Sequence, residues 1–195
     1  MQAGKSMTKI YFVRHAESDR SVRDGRVRPL TEKGMVDAEK VTSAFEGIPV
    51  DRVLSSPFKR AVDTVVPFAE SRGIGIGLIE DFRERRSDSV QTIPMEELIR
   101  KQWKDFAYTL SDGECLGEVQ ERNIRALNTV LEDNRGKSVV IGTHGMALCT
   151  MIRYFRPGIR IAEVEEIMDK LPYLLLMEFS GSEFIGMNEL KFDFS

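Results

Sequence analysis

Short apolar runs alternate with amphipathic stretches along nearly the whole chain, and that alternation predicts its elements. Lys9–Val13 is β-branched and aromatic and reads as a buried strand. It stops at the polar run Arg14-His15-Ala16-Glu17-Ser18, which opens a loop. From Thr31 to Phe45 the hydrophobic spacing suits a helix. Asp51–Leu54 reads as a second strand, ended by Ser55-Ser56-Pro57, with Ser56 as N-cap and Pro57 as the first residue of a helix. That helix buries Phe58, Ala61, Val62, Val65 and Val66 and ends near Gly73.

A third strand over Ile76–Ile79 leads into the charged run Glu80-Asp81-Phe82-Arg83-Glu84-Arg85-Arg86. Residues 94–110 predict one or two short helices forming a cap, and Gly117–Asp133 is the clearest amphipathic helix. Lys137–Thr143 is another buried strand that ends at His144-Gly145. Helices over Met146–Phe155 and 160–170 follow, and Leu174–Phe179 and Phe184–Phe192 read as closing strands. Strands alternating with helices predict an α/β fold: a three-layer α/β/α sandwich with a mainly parallel central sheet and a small helical cap. No repeat or linker divides it, so 7–195 reads as a single domain with its cap over 85–112. Residues 1–6 precede a second methionine, Met7, and read as a remnant outside that domain.

Composition narrows the function classes. The chain has 195 residues, enough for one full domain, and 42% hydrophobic with 30% charged residues suits a soluble core. A net charge of −3 gives no overall attraction to nucleic acid or anionic membrane, so an anionic substrate must be held by local positive charge. Cys115 and Cys149 are too few for a disulfide framework and point to a reducing, cytoplasmic setting. No apolar run approaches the ~20 residues of a membrane span, and no secretory pattern opens the chain.

The candidate chemistry follows strands. The chain has 2 histidines, and His15 and His144 each come directly after a predicted strand, where open α/β sheets bind ligands. Arg14 adjoins His15, Arg60 lies one turn inside the second helix, and Glu84 follows the third strand. Two arginines and two histidines around one pocket suit a dianionic phosphoryl group, because guanidinium forks donate paired hydrogen bonds to phosphate oxygens. The turn at Gly145-Met146 can add backbone N–H groups. A neutral imidazole can act as nucleophile, and a carboxylic acid can protonate the leaving oxygen; neither step needs a metal or other cofactor.

Phe12-Val13-Arg14-His15-Ala16-Glu17-Ser18 resembles the signature of the histidine phosphatase superfamily, also called the phosphoglycerate mutase-like family. The resemblance continues in order through Arg28–Gly34, Leu54–Ala61, Phe82-Arg83-Glu84, Gly113-Glu114-Cys115 and Thr143-His144-Gly145. It implies a phosphohistidine nucleophile at His15, phosphate binding by Arg14, Arg60 and His144, and a proton donor at Glu84. Ser21 stands where the family often has asparagine as a further phosphate contact, and Cys115 stands where serine is usual. The activity implied is metal-independent hydrolysis of small phosphomonoesters. Phosphoglycerate mutase-type transfer, or a phosphoprotein-directed phosphatase or regulatory binding protein, are the alternatives. Two points stay open: Arg83, Arg85 and Arg86 form either a solvated loop or a contact to a second acidic group. The cap aromatics Trp103, Phe106 and Tyr108 either pack in the core or line the pocket. The apolar C-terminal strands offer a pairing edge for a homodimer.

Overall fold

The computed structural model describes residues 6–192. Six strands form one sheet: β1 (Met7–Arg14), β2 (Arg52–Ser55), β3 (Ile76–Leu78), β4 (Ser138–Thr143), β5 (Tyr173–Ser180) and β6 (Glu183–Glu189). Their order is β3-β2-β4-β1-β5-β6. The four strands from β3 to β1 run parallel, while β5 and β6 pair antiparallel at the far side. The late strand β4 thus inserts between β2 and β1. Six helices accompany the sheet: α1 (Glu32–Ala44), α2 (Lys59–Arg72), α3 (Met95–Lys104), α4 (Leu116–Asp133), α5 (Gly145–Phe155) and α6 (Ile161–Asp169). Among the described residues no helix is long and apolar enough to cross a membrane.

Alternation along β1 explains the layers. Tyr11 and Val13 face one side and join Val41 of α1 and Phe45 just after it with Val65 and Phe68 of α2. Ile10 and Phe12 face the other and join Leu127 and Leu131 of α4 with Leu148 and Ile152 of α5. Both faces of β1 are therefore covered, which is why this strand reads as a continuous apolar run. The three-layer α/β/α arrangement expected from the sequence is the one observed.

Several boundaries differ from expectation. The second helix begins at Lys59, not Pro57, and the residue at its N-cap position, Phe58, is extended and makes no side-chain cap. The Ser56 hydroxyl is engaged elsewhere, as described below. Segment 94–110 holds one helix, α3, and β6 ends at Glu189. Cys115 does the work of the usual serine: its Sγ accepts from the Glu118 amide at 3.5 Å while Glu118 Oε2 accepts from the Cys115 amide at 2.9 Å, closing a capping box on α4. Trp103 and Phe106 of the cap belong to the core, while Tyr108 is half-buried beside Lys101. Trp103 is buried, and the Arg153 guanidinium lies 5.0 Å from its ring centre and 4.1 Å from that of Phe106.

One buried ion cluster fixes the segment that carries Glu84. The Glu114 carboxylate accepts from Arg122 at 2.7 and 2.9 Å and from Arg83 at 2.7 and 3.0 Å. Arg122 also donates to the carbonyls of Asp81, Arg83 and Glu84. Burial raises the Glu114 carboxyl, but the arginine hydrogen bonds and the Arg86 amide outweigh it and hold the group at about 2.

The loop after β1 is held against the first turn of α1. Thr31 caps α1, accepting from the Gly34 amide at 3.0 Å, and the Thr31 amide donates to the Glu17 carbonyl at 3.0 Å. A Cβ at Gly34 would run into that carbonyl. Gly34→Ala gains about 1 kcal/mol of intrinsic helix preference yet should still lower the melting temperature, because the backbone next to His15 must move. A variant as stable as the parent or more so would show that the contact relaxes freely.

Candidate active site

Three adjacent parallel strands end at one level. Arg14 pairs with Thr143 and Ser55 with Gly142, so His15, His144 and Ser56 emerge side by side from β1, β4 and β2. The His15 amide donates to the Thr143 carbonyl at 3.0 Å and the Ser56 amide to the Gly142 carbonyl at 2.8 Å, carrying the ladder into the loops. The two imidazole rings stand 5.3 Å apart, edge to face.

The two histidines are held differently. His15 Nδ1 lies 2.7 Å from the Ala16 carbonyl. A carbonyl only accepts, so Nδ1 carries the proton and Nε2 the free lone pair. His144 is fully buried; its Nε2 is 2.8 Å from Ser56 Oγ, and its Nδ1 has no partner. Ser56 Oγ also accepts from the Phe58 amide at 3.2 Å, which commits this side chain to the site rather than to capping α2. Phe58 packs against His144, with its ring centre 5.2 Å from that of the imidazole. Burial, then the charges of Arg60, Arg14 and Arg28, hold the His15 imidazole well below its ordinary value, against the pull of the Ala16 hydrogen bond. Burial and the Arg60 charge do the same to His144. Both rings are neutral at pH 7.

Arginines frame a cavity of about 620 Å³ whose wall includes Arg14, His15, Arg60 and Glu84. Arg14 Nη1 donates to the carbonyls of Ile167 at 2.6 Å and Lys170 at 2.7 Å, so α6 anchors it, while its Nε is buried without a partner. Arg60 Nη1 donates to the Gly25 carbonyl at 2.5 Å. Burial pushes Arg60 down to about 10, leaving it a cation at neutral pH. Glu84 sits over the start of α5, accepting from the amides of Arg85 at 2.7 Å, Met146 at 3.2 Å and Ala147 at 3.2 Å. Gly145 is buried beneath it, and a Cβ there would strike the Met168 sulfur and come within 3.1 Å of Arg14 Nε. A larger residue here would require Met168 to shift and Arg14 to give way.

Not every expected site residue lines the cavity: His144 and Gly145 are buried and absent from its wall, and Ser21 is exposed and absent from it as well. The Ser21 amide donates to Asp19 Oδ1 at 2.9 Å and its hydroxyl also engages that carboxylate, so a local turn holds it away from the pocket. Positive charge comes instead from Arg20 and Arg28, and further wall from Arg85, Gln91 and Met95 of the cap. Ser56 is the functional neighbour that sequence reading cast in another role; its place after a strand beside two others was the available signal. The cap aromatics are absent from this wall.

Comparison with known proteins identifies the family. The sequence profile of the histidine phosphatase superfamily (branch 1) matches residues 10–184. "Uncharacterized phosphatase PhoE" of Bacillus subtilis is 29% identical over 156 residues, 78% of this chain and 79% of that protein. "Probable phosphoglycerate mutase GpmB" of Cronobacter sakazakii is 26% identical over 158 residues, 75% of this chain and 74% of its own. Among solved structures, Bacillus stearothermophilus YhfR superposes with a TM-score of 0.74 at 24% identity, covering 91% of this chain and 94% of that one. The chain belongs to the histidine phosphatase superfamily (branch 1), as an enzyme of that family.

Proposed function

We propose that the protein hydrolyses small phosphomonoesters through a phosphohistidine at His15, with no metal in the reaction. The observation that carries this reading is His15 itself: a neutral ring, its Nδ1–H fixed on the Ala16 carbonyl and its Nε2 unprotonated, in one wall with two guanidinium groups. His15 Nε2 attacks phosphorus as the ester P–O bond breaks, and the leaving oxygen takes a proton from the Glu84 carboxylic acid. Water then gives its proton to the Glu84 carboxylate and attacks the phosphohistidine. The N–P bond breaks, releasing inorganic phosphate. Arg14, Arg60 and His144 hold the phosphoryl oxygens, with the backbone at Gly145 closing the cradle; Arg14 Nε and His144 Nδ1, both unpartnered, support that role. Cys149 takes no part, since burial pushes its thiol up to about 12. The free thiols of Cys115 and Cys149 support a cytosolic location.

The name of the Cronobacter relative favours a second reading, in which the phosphoryl group returns to a substrate hydroxyl rather than to water. Net phosphate release separates the two. p-Nitrophenyl phosphate should be hydrolysed in EDTA by the parent, and His15→Ala should lose roughly 10³-fold or more. Substantial activity in that variant, or loss of parent activity in EDTA, would overturn the mechanism.

Holding two histidines neutral has a consequence for stability. Their folded pKa values lie well below 6.5, so below about pH 6.5 the unfolded chain binds protons that the folded site refuses. Stability is full above that pH and falls as the pH drops through it. The melting temperature should decline from pH 7.5 to 5.5, and less steeply in His15→Asn. Equal slopes in the two proteins would contradict a depressed His15 pKa.

A further inference from the structure

Ser56, fully buried just after β2, is tied down through its amide, its carbonyl and its hydroxyl. The amide donates to the Gly142 carbonyl at 2.8 Å, and the carbonyl accepts from Ser55 Oγ at 2.8 Å. Ser56 Oγ takes part in two hydrogen bonds, one with the Phe58 amide at 3.2 Å and one with His144 Nε2 at 2.8 Å. An amide only donates, so the first bond uses an Oγ lone pair. The hydroxyl has a single proton to give, and among the described residues His144 Nε2 is the acceptor it reaches. His144 Nε2 therefore accepts, and on a neutral ring the proton sits at Nδ1.

The opposite tautomer is less favourable inside the protein. With Nε2 protonated and donating to Ser56 Oγ, the Ser56 proton would lack an acceptor and the Nδ1 lone pair a donor. With Nδ1 protonated, that N–H alone is left over, so one buried group rather than two goes unsatisfied. A buried donor is itself costly until an acceptor arrives. His15, which lines the cavity, has its ring centre 5.3 Å from that of His144, so a phosphoryl group on His15 would neighbour that ring. A bare Nδ1 would instead meet the phosphoryl oxygens with a lone pair. The two rings are complementary: His15 commits its proton to the Ala16 carbonyl and leaves Nε2 bare to attack, while His144 commits Nε2 to Ser56 and keeps a proton at Nδ1.

We infer that Ser56 is a positioning residue: its hydroxyl donates to His144 Nε2 and so fixes His144 as a hydrogen-bond donor, through Nδ1–H, to the phosphoryl oxygens. The identity of that acceptor rests on the phosphohistidine reading; the tautomer does not. Ser56 gives up no proton in the reaction, and its effect on turnover passes entirely through His144.

Nitrogen NMR of the intact protein with isotope-labelled histidine, at about pH 7.5 where neutral imidazole prevails, reads the tautomer without substrate. The chain has 2 histidines, so His15→Asn leaves the His144 ring as the remaining signal and identifies it. The expected spectrum shows His144 with a protonated Nδ1 and a bare Nε2; a protonated Nε2 in the parent would overturn the proposal. Ser56→Ala should replace that single form by a mixture or by Nε2–H. The same variant should weaken inhibition of p-nitrophenyl phosphate hydrolysis by inorganic phosphate about tenfold. Ser56→Thr, which keeps the hydroxyl, should restore the parent spectrum and bring phosphate inhibition back to within about threefold of the parent. A Ser56→Ala protein that loses phosphate affinity while its His144 spectrum stays that of the parent would reduce Ser56 to a packing residue and overturn the proposal. A parent with the expected tautomer that releases no phosphate from any ester would instead refute the phosphatase reading and leave the tautomer standing.

Discussion

The in-register parallel pairing of β1 with β4 is the constraint on which the site depends. Arg14 opposite Thr143 brings His15 and His144 together although 128 residues of chain, by their numbering, separate them. A slip of one residue would turn every side chain of β1 to the opposite face. Tyr11 and Val13 would leave the α1–α2 layer, and Ile10 and Phe12 the α4–α5 layer. The dry core on both faces therefore specifies the register, and the register specifies the distance between the histidines. Because β4 inserts between β1 and β2, Ser56 also reaches His144. One topological choice sets all three side chains.

Around that centre the protein concentrates positive charge on a chain whose net charge is −3. Carbonyl groups orient the arginines without neutralising them: Ile167 and Lys170 for Arg14, Gly25 for Arg60. The full charge stays available to a phosphoryl group, and burial, reinforced by the same field, keeps both imidazoles unprotonated. Glu114, by contrast, neutralises arginine charge: it braces Arg83 and Arg122 against the segment that carries Glu84. Fixed dipoles and charges arranged before substrate arrives are what phosphoryl transfer requires of a protein.

The strands and both histidines were legible because each β-branched run ends abruptly in polar residues, a pattern that local chemistry alone produces. Arg14, Arg60 and Glu84 were legible from the same strand ends and from the family resemblance. Ser21 misled because sequence position places it near the phosphate, whereas the Asp19 side chain captures it in a turn. Ser56 misled because Ser-Ser-Pro reads as a cap, and only tertiary pairing reveals the competing bond to His144. The burial of Arg85 and the docking of Trp103 on Arg153 depend on how the cap folds over the sheet, which periodicity does not encode.

If the phosphoryl group passes through His15 Nε2, the phosphohistidine can be trapped there. The enzyme, mixed with an aryl phosphate and quenched within the first turnover in alkali, would be digested and its peptides weighed. One added phosphoryl mass is expected on the peptide containing His15, labile to acid and stable to base. A phosphoryl group on any other residue, or turnover with none trapped on a competent time scale, would contradict it.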